Sequence, residues 1–337
     1  MKTSPRGGKA PLAPDAQILA AMRASGEVGA SGAELAKQLG VSRAAVWARV
    51  EELRKVGYDI AASPHHGYVL RGSPDALHGD DLQARLGSTR VVGREIRVFK
   101  ETDSTNDIVD KLAHDGVAEG IVVFAESQTQ GRGRLGRRWL SPPGKGLWFS
   151  LLLRPNLNPM AATQLTVISA VAVARAIERE TGLAPGIKWP NDIMFGAKKC
   201  AGILIELSTE IDHIRHAVLG IGLDVNLAPE EFPDDLKEIA TSLRAEAGHP
   251  IDRPALAAAV LRELDYVYAR LCEGDFHHIG DEWMRRCTTL GRRVTLRIGD
   301  RTINGTAEAL DDEGALLVRN EHGRVERILG GDVTLQK

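Results

Sequence analysis

The 337-residue sequence predicts a multidomain α+β protein: an N-terminal winged helix-turn-helix, a central mixed sheet carrying helices, and a small C-terminal antiparallel barrel. Three observations carry that expectation. Capped segments with helical apolar spacing come first; β-rich apolar runs alternating with helical ones follow from Glu95; and beyond Gly291 short alternating strands are punctuated by turn residues.

The first fourteen residues, a Pro/Gly/Lys-rich arm from Met1 to Pro14, are expected to be disordered. Ala16 to Ser25 has helical spacing through Ile18, Leu19 and Met22. Ser31-Gly32-Ala33-Glu34 is a capping box that opens a second helix, stopped at Gly40. Ser42 caps a third, whose Val46, Val50 and Leu53 form a buried stripe and leave Arg43, Ala44, Trp47 and Arg54 elsewhere on the circumference. Tyr58 to Ala62 and Gly67 to Leu70, joined through Pro64, His65 and His66, complete a β-hairpin wing. In such a unit the N-terminal residues of the third helix enter the major groove, so Ser42, Arg43, Ala44 and Trp47 are the DNA-binding candidates. His65 and His66 have no further ligand at metal spacing and are expected at a solvated wing tip.

Arg71 to Asp75 is expected to be the linker, with domains over 15–72, 73–286 and 287–337. In the central domain Ile96–Phe99, Ile121–Phe124, Leu147–Leu153, Ile203–Leu207 and Ala217–Leu223 are the expected strands. Met160–Thr181 is the longest expected helix, and the helices are expected on one face of the sheet. Asp252 caps a further helix running to Cys272, with Pro254 in its first turn. The terminal strands are expected at Val294–Ile298, Thr306–Leu310, Ala315–Val318 and Val325–Leu329.

Net charge is −2, but residues 1–72 hold ten Lys/Arg against six Asp/Glu, so the basic part is the one expected to meet DNA. Cys200, Cys272 and Cys287 make neither a zinc spacing nor an even disulfide set, which points to a reducing cytoplasm. The longest apolar stretch, Leu165–Ala174, is too short to cross a bilayer, and no membrane partner is expected.

The segment richest in chemistry is Gly131-Arg-Gly-Arg-Leu-Gly-Arg-Arg-Trp139, three glycines among four arginines. Glycine lets a backbone approach a ligand closely, and guanidinium forks hold phosphate or carboxylate oxygens. It contains G-x-G-x-x-G, yet Arg137 to Gly144 cannot open a helix and no ribose-binding acid follows, which excludes a dinucleotide fold. Kinase and P-loop elements are absent from the sequence.

Five motifs together resemble the biotin–protein ligases, in particular their bifunctional bacterial members that also repress the biotin operon. They are Ser104-Thr105-Asn106; Gln128 with the Gly/Arg loop; Lys188-Trp189-Pro190-Asn191-Asp192; Lys199-Cys200-Ala201-Gly202-Ile203-Leu204; and Gly220-Ile221-Gly222. The resemblance covers nearly the whole chain. It implies a class II synthetase-like sheet, the biotin/lipoate ligase fold, and an SH3-like terminal barrel. The implied reaction joins biotin to ATP as biotinyl-5′-AMP and passes biotin to a lysine of biotin carboxyl carrier protein, with Mg2+ as the metal.

By the same resemblance Ser104, Thr105, Asn106 and Gln128, with Arg132, Gly133, Arg134 and Lys199, bind biotin. Lys199, Arg132, Arg134 and Asp192 carry catalysis, and Arg134, Trp139 and Asn191 meet ATP. Two anions must be brought together, so Lys199 suits the point charge between them. Ser104 is open to a second use as a helix cap, Trp139 to core packing, and Asp192 to magnesium binding, phosphate ordering or a turn. Asp224 stands where the family usually has asparagine, and an ionised carboxylate there would repel phosphate. Operator DNA and a ligand-promoted homodimer complete the implied partners. The rivals are a DNA-binding biotin sensor without useful ligase activity, and a ligase whose winged domain no longer binds DNA; lipoate ligase is disfavoured by the Gly/Arg loop.

Overall fold

The computed structural model describes residues 12–63 and 66–335, so most of the expected arm and the wing-tip residue His65 lie outside the described residues. The chain divides into two compact units, residues 1–88 and 89–337.

In the first unit, α1 (Pro14–Ser25) starts two residues before the expected helix, with proline in its first turn, where a missing N–H costs no hydrogen bond. α2 (Gly32–Leu39) and α3 (Arg43–Lys55) are both capped by serine, Ser31 accepting from the Glu34 amide and Ser42 from the Ala45 amide. β1 (Asp59–Ser63) and β2 (Gly67–Gly72) pair antiparallel as the wing. Ile18, Leu19, Met22, Leu35, Val46 and Val50 meet in one core, which is why the helical stripes fall where they do. A helix not expected from the sequence, α4 (Gly79–Leu86), packs on α1 and belongs to this unit. Its Asp81, 1% exposed, is paired with Arg23 and, at 2.8 Å, with Arg85. The expected linker Arg71–Asp75 therefore lies inside the first unit, and the break falls at Ser88.

The second unit holds β3 (Glu95–Phe99), α5 (Thr105–His114), β4 (Ile121–Ala125), β5 (Gly146–Leu153), α6 (Ala162–Thr181), β6 (Gly186–Lys188), β7 (Asp192–Phe195), β8 (Lys198–Thr209) and β9 (Ile214–Asp224). It continues with α7 (Leu243–Ala247), α8 (Arg253–Cys272) and α9 (His277–Arg286). Seven strands form a mixed sheet in the order β3-β4-β5-β9-β8-β7-β6, parallel only between β3 and β4. All eight residues of β5 are buried, which requires cover on both faces and explains a sequence that is apolar without alternation. α5 lies over β4, β5 and β9, whereas α6 packs on β7 and β8 and joins α8, which meets β5. The expectation of helices on one face is thus corrected.

α6 with its preceding turn, Pro159–Thr181, is long and apolar enough to cross a membrane, contrary to the length argument from Leu165–Ala174. Packing decides its place instead: most of it is buried in the core against α8, α9 and the sheet.

The terminal strands β10 (Arg293–Ile298), β11 (Arg301–Leu310), β12 (Leu316–Asn320), β13 (Val325–Ile328) and β14 (Asp332–Leu335) form an antiparallel sheet ordered β13-β12-β11-β10-β14. Among the described residues β13 and β14 do not pair, so the expected barrel is an open five-stranded sheet. The turn before β12 docks on α6, with Thr163 and Gln164 donating to the carbonyls of Glu313 and Asp312.

Candidate active site and nucleic-acid face

A cavity of about 600 Å³ opens on the α5 face of the seven-stranded sheet, and every residue the sequence assigned to ligand binding, from Ser104 to Lys199, lines it. Its floor is made of glycine. Gly202 pairs with Gly222 across β8 and β9, and Leu204 with Gly220, placing these glycines in neighbouring rows. A Cβ on Gly222 would lie 2.5 Å from the Trp139 indole nitrogen, and one on Gly220 would lie 2.3 Å from Asn106 Oδ1. The Gly220-Ile-Gly222 motif is therefore a requirement for close approach rather than for a turn.

One end of the cavity is built mainly from hydrogen bonds between neutral groups. Gln128 Oε1 accepts from the Thr105 amide at 2.9 Å and from its hydroxyl at 3.2 Å, while Gln128 Nε2 donates to Ser141 Oγ at 3.0 Å. Gln128 thus caps α5, and the Ser104 side chain makes no cap bond, so the helix-cap use left open for that serine is not realised. Ser150, buried beneath them, joins Thr105 Oγ1 at 2.7 Å and donates to Asn106 Oδ1. Asn106 Nδ2 in turn donates to Glu206 at 2.6 Å.

Ion pairs dominate the other end. Arg132 is held bidentately by Asp107 and sits 3.4 Å from Glu206, and the Asp107 hydrogen bond keeps its pKa above the ordinary value. Arg134 donates to Asn191 Oδ1 at 3.2 Å and to the Gly331 carbonyl at 3.3 Å, and burial lowers its pKa. Asn191 is oriented by its own bond to the Ile203 carbonyl at 2.8 Å. Lys199 Nζ lies 2.5 Å from Asp192 Oδ1 and 5.1 Å from the centroid of Trp139. Trp139 itself lies over Gly202 and Gly222 with a buried indole N–H that has no partner, so it is cavity wall and not core. Asp224 also lines the cavity; burial pushes its carboxyl well above the usual carboxylate range, with Lys199 opposing, which weakens the repulsion expected of an ionised carboxylate there.

The Gly/Arg loop follows β4, but it closes on itself through Gly133 N–H to Arg137 O and Trp139 N–H to Gly131 O, and enters β5 without opening an α-helix. Sequence reasoning missed Asp107, Glu206 and the C-terminal residues Arg297 and Asp332 to Thr334 that complete the wall. Glu206 follows the Lys199–Leu204 motif by two residues on the same strand, which was the available signal.

On the first unit Ser42, Arg43, Ala44 and Trp47 are all exposed at the start of α3, Trp47 by 57%, while Val46 and Val50 turn inward. An exposed indole beside an arginine at a helix N-terminus suits contact with a groove.

The biotin/lipoate A/B protein ligase family matches residues 98–224, an HTH domain matches residues 16–69, and the biotin protein ligase C-terminal domain matches residues 289–335. The bifunctional ligase/repressor BirA of Bacillus subtilis (strain 168) is 39% identical over 90% of this chain and 93% of its own length. Its namesake from Escherichia coli (strain K12) is 31% identical over 94% and 96%. The biotin protein ligase of Aquifex aeolicus, solved in complex with biotin and ATP, superposes with a TM-score of 0.61 at 33% identity, covering 72% of this chain and 98% of that one. A ligand cavity floored by paired glycines, the winged first unit and likeness over nine-tenths of the length agree: the chain belongs to the biotin protein ligase family, among its bifunctional ligase/repressor members.

Proposed function

We propose that this chain is an ATP-dependent biotin–protein ligase that forms biotinyl-5′-AMP, transfers biotin to a lysine of biotin carboxyl carrier protein, and represses biotin genes through its winged unit. The observation that carries the enzyme half is the meeting, in one cavity, of a neutral donor–acceptor network with Arg134, Lys199, Asp192 and Trp139. A ureido ring needs both donors and acceptors, and Ser104, Thr105, Asn106 and Gln128 offer both. In the first step a biotin carboxylate oxygen attacks the α-phosphorus and pyrophosphate leaves; in the second a lysine amine attacks the acyl carbon and AMP leaves. Lys199, moving from Asp192 to the incoming anions, offsets their repulsion, and Arg132, Gly133 and Arg134 of the loop close on the same charge. Trp139 offers a ring face to adenine, and Asn191 holds Arg134 toward the phosphates.

Magnesium enters with ATP, and the donor set fits it: a carboxylate whose counter-ion is a lysine can exchange that partner for an oxygen-loving cation. Asp192 would hold it, and the ion supplies charge shielding on the phosphates. The C-terminal sheet acts as an SH3-like cap, a reading supported by its contribution to the cavity wall. Three free thiols agree with a cytoplasmic setting.

Biotin-dependent ATP/pyrophosphate exchange tests the enzyme reading, and its absence from a protein that still binds biotin and operator DNA would favour the sensor. For the repressor half, a single winged unit gains affinity when a ligand-promoted dimer presents two recognition helices. Arg43→Ala should weaken operator binding about tenfold with exchange unchanged. Equal operator affinity with and without adenylate would leave a ligase whose winged domain is uncoupled.

A further inference from the structure

Beyond the catalytic cavity, the other end of α5 carries a second cluster of ligating side chains. Asp110 and His114 lie one helical turn apart and so share a face of α5, and His216 reaches them from β9. One ligating atom from each of the three lies within 4.8 Å of the others. His216 is 4% exposed, with Nε2 3.1 Å from Asp110 Oδ1. The His114 ring stands edge-on to it at 5.3 Å, with Nδ1 2.9 Å from the Asp110 carbonyl oxygen and 3.5 Å from Asp110 Oδ2. The neighbouring Arg154 guanidinium is engaged with the carbonyls of Ala113, Val117 and Arg215.

We propose that Asp110, His114 and His216 form a binding site for a late first-row divalent cation, Zn2+ foremost, that ties the C-terminal turns of α5 to the start of β9. Two imidazoles and one carboxylate are the donor set of zinc and its neighbours, whereas magnesium and calcium prefer all-oxygen surroundings. Ligands of a tetrahedral ion stand about 3.3 Å apart, given bonds of about 2.0 Å. Asp110 and His114, whose side chains are 51% and 62% exposed, have room to close from the present spacing toward the buried His216. Three protein ligands leave a fourth position for water. Asn106 precedes Asp110 by one turn on the same helix, so an ion here would stiffen the element that presents Thr105 and Asn106 to the cavity.

The test uses the full-length protein without an affinity tag, freed of metal by a chelator and titrated with Zn2+ by calorimetry, with Mg2+ and Ca2+ in parallel. One equivalent of Zn2+ should bind and raise the melting temperature, and the other two ions should not compete. Affinity should fall at least tenfold in His114→Ala, an exposed position that cannot unfold the core, and likewise in His216→Gln. A His277→Ala/His278→Ala variant, which removes an adjacent histidine pair elsewhere in the same unit, should bind as the parent does. Absence of saturable uptake, uptake that persists in both cluster variants, or uptake lost with His277 and His278 would overturn the proposal.

Discussion

The two ends of the cavity are prepared differently. At the Gln128 end Thr105, Gln128 and Ser141 are already matched to neutral partners over the buried Ser150, and only Asn106 reaches an acid, Glu206. At the Lys199 end three cations are matched to acids or carbonyls: Arg132 to Asp107 and Glu206, Arg134 to Asn191 and Gly331, Lys199 to Asp192. Neutral bonds can stay in place when a neutral ring arrives, whereas an anion must replace the acid that holds the cation. The contrast teaches that one end is preorganised for recognition and the other for exchange.

Removing the cation should break this contrast most severely. Lys199→Ala should lower biotin-dependent pyrophosphate exchange by about 10²–10³-fold, the scale of losing one preorganised charge at a phosphoryl transition state, while biotin affinity in the absence of ATP falls much less. Exchange within a few-fold of the parent would show that Lys199 is only a counter-ion for Asp192. At the neutral end, Gly220→Ala puts a methyl group against Asn106 and should weaken biotin binding roughly tenfold, read by calorimetry, with nucleotide affinity little changed. Equal losses for both ligands would mean the two ends are not separable.

Asn191 is a positioning residue in this scheme. Asn191→Ala should raise KM for ATP about three- to tenfold with kcat nearly kept, since Arg134 loses its guide but not its charge. A fall in kcat at constant KM would instead put Asn191 in contact with the reacting atoms. The smallest effect concerns Asp224. Its carboxyl is raised by burial, so the folded state holds a proton that the unfolded chain releases; stability from that proton is full in acid and declines as pH climbs from the ordinary carboxylate range toward the raised pKa. Asp224→Asn abolishes this decline. Its melting temperature should match the parent in acid and exceed it at neutral pH and above, by about 2–4 °C per kcal/mol. A constant offset across pH would mean that Asp224 does not titrate with folding.

What the sequence disclosed follows from how local each signal is. Helices α2, α3 and α8 were legible because their caps and apolar stripes lie within a few residues of one another, and α1 was legible from its stripe alone. β6 and β7 were missed because three and four residues flanking Trp189-Pro190-Asn191 are too few for alternation to show. α4 lacks a side-chain cap and buries an aspartate on its inner face, a pattern that looks polar until Arg23 and Arg85 are seen around it. In the site, the residues carried by the five motifs do line one cavity, but Asp107 and Glu206 looked like ordinary surface acids; only the fold brings them to Arg132. The face on which helices lie was misjudged because it depends on tertiary cover, to which the unbroken apolar run of β5 was the clue.

Gln128 reaches back 23 residues to close the amino end of α5 while its amide lies in the cavity wall. Under the proposed biotin role of Gln128, a fastener and a reader are one side chain. Any attempt to retune ligand choice by exchanging this glutamine also unpins the first turn of the helix, so altered selectivity and a looser scaffold would be inherited together. Redesign of the pocket has to supply a new acceptor for the Thr105 amide before it can change what the amide group of residue 128 recognises.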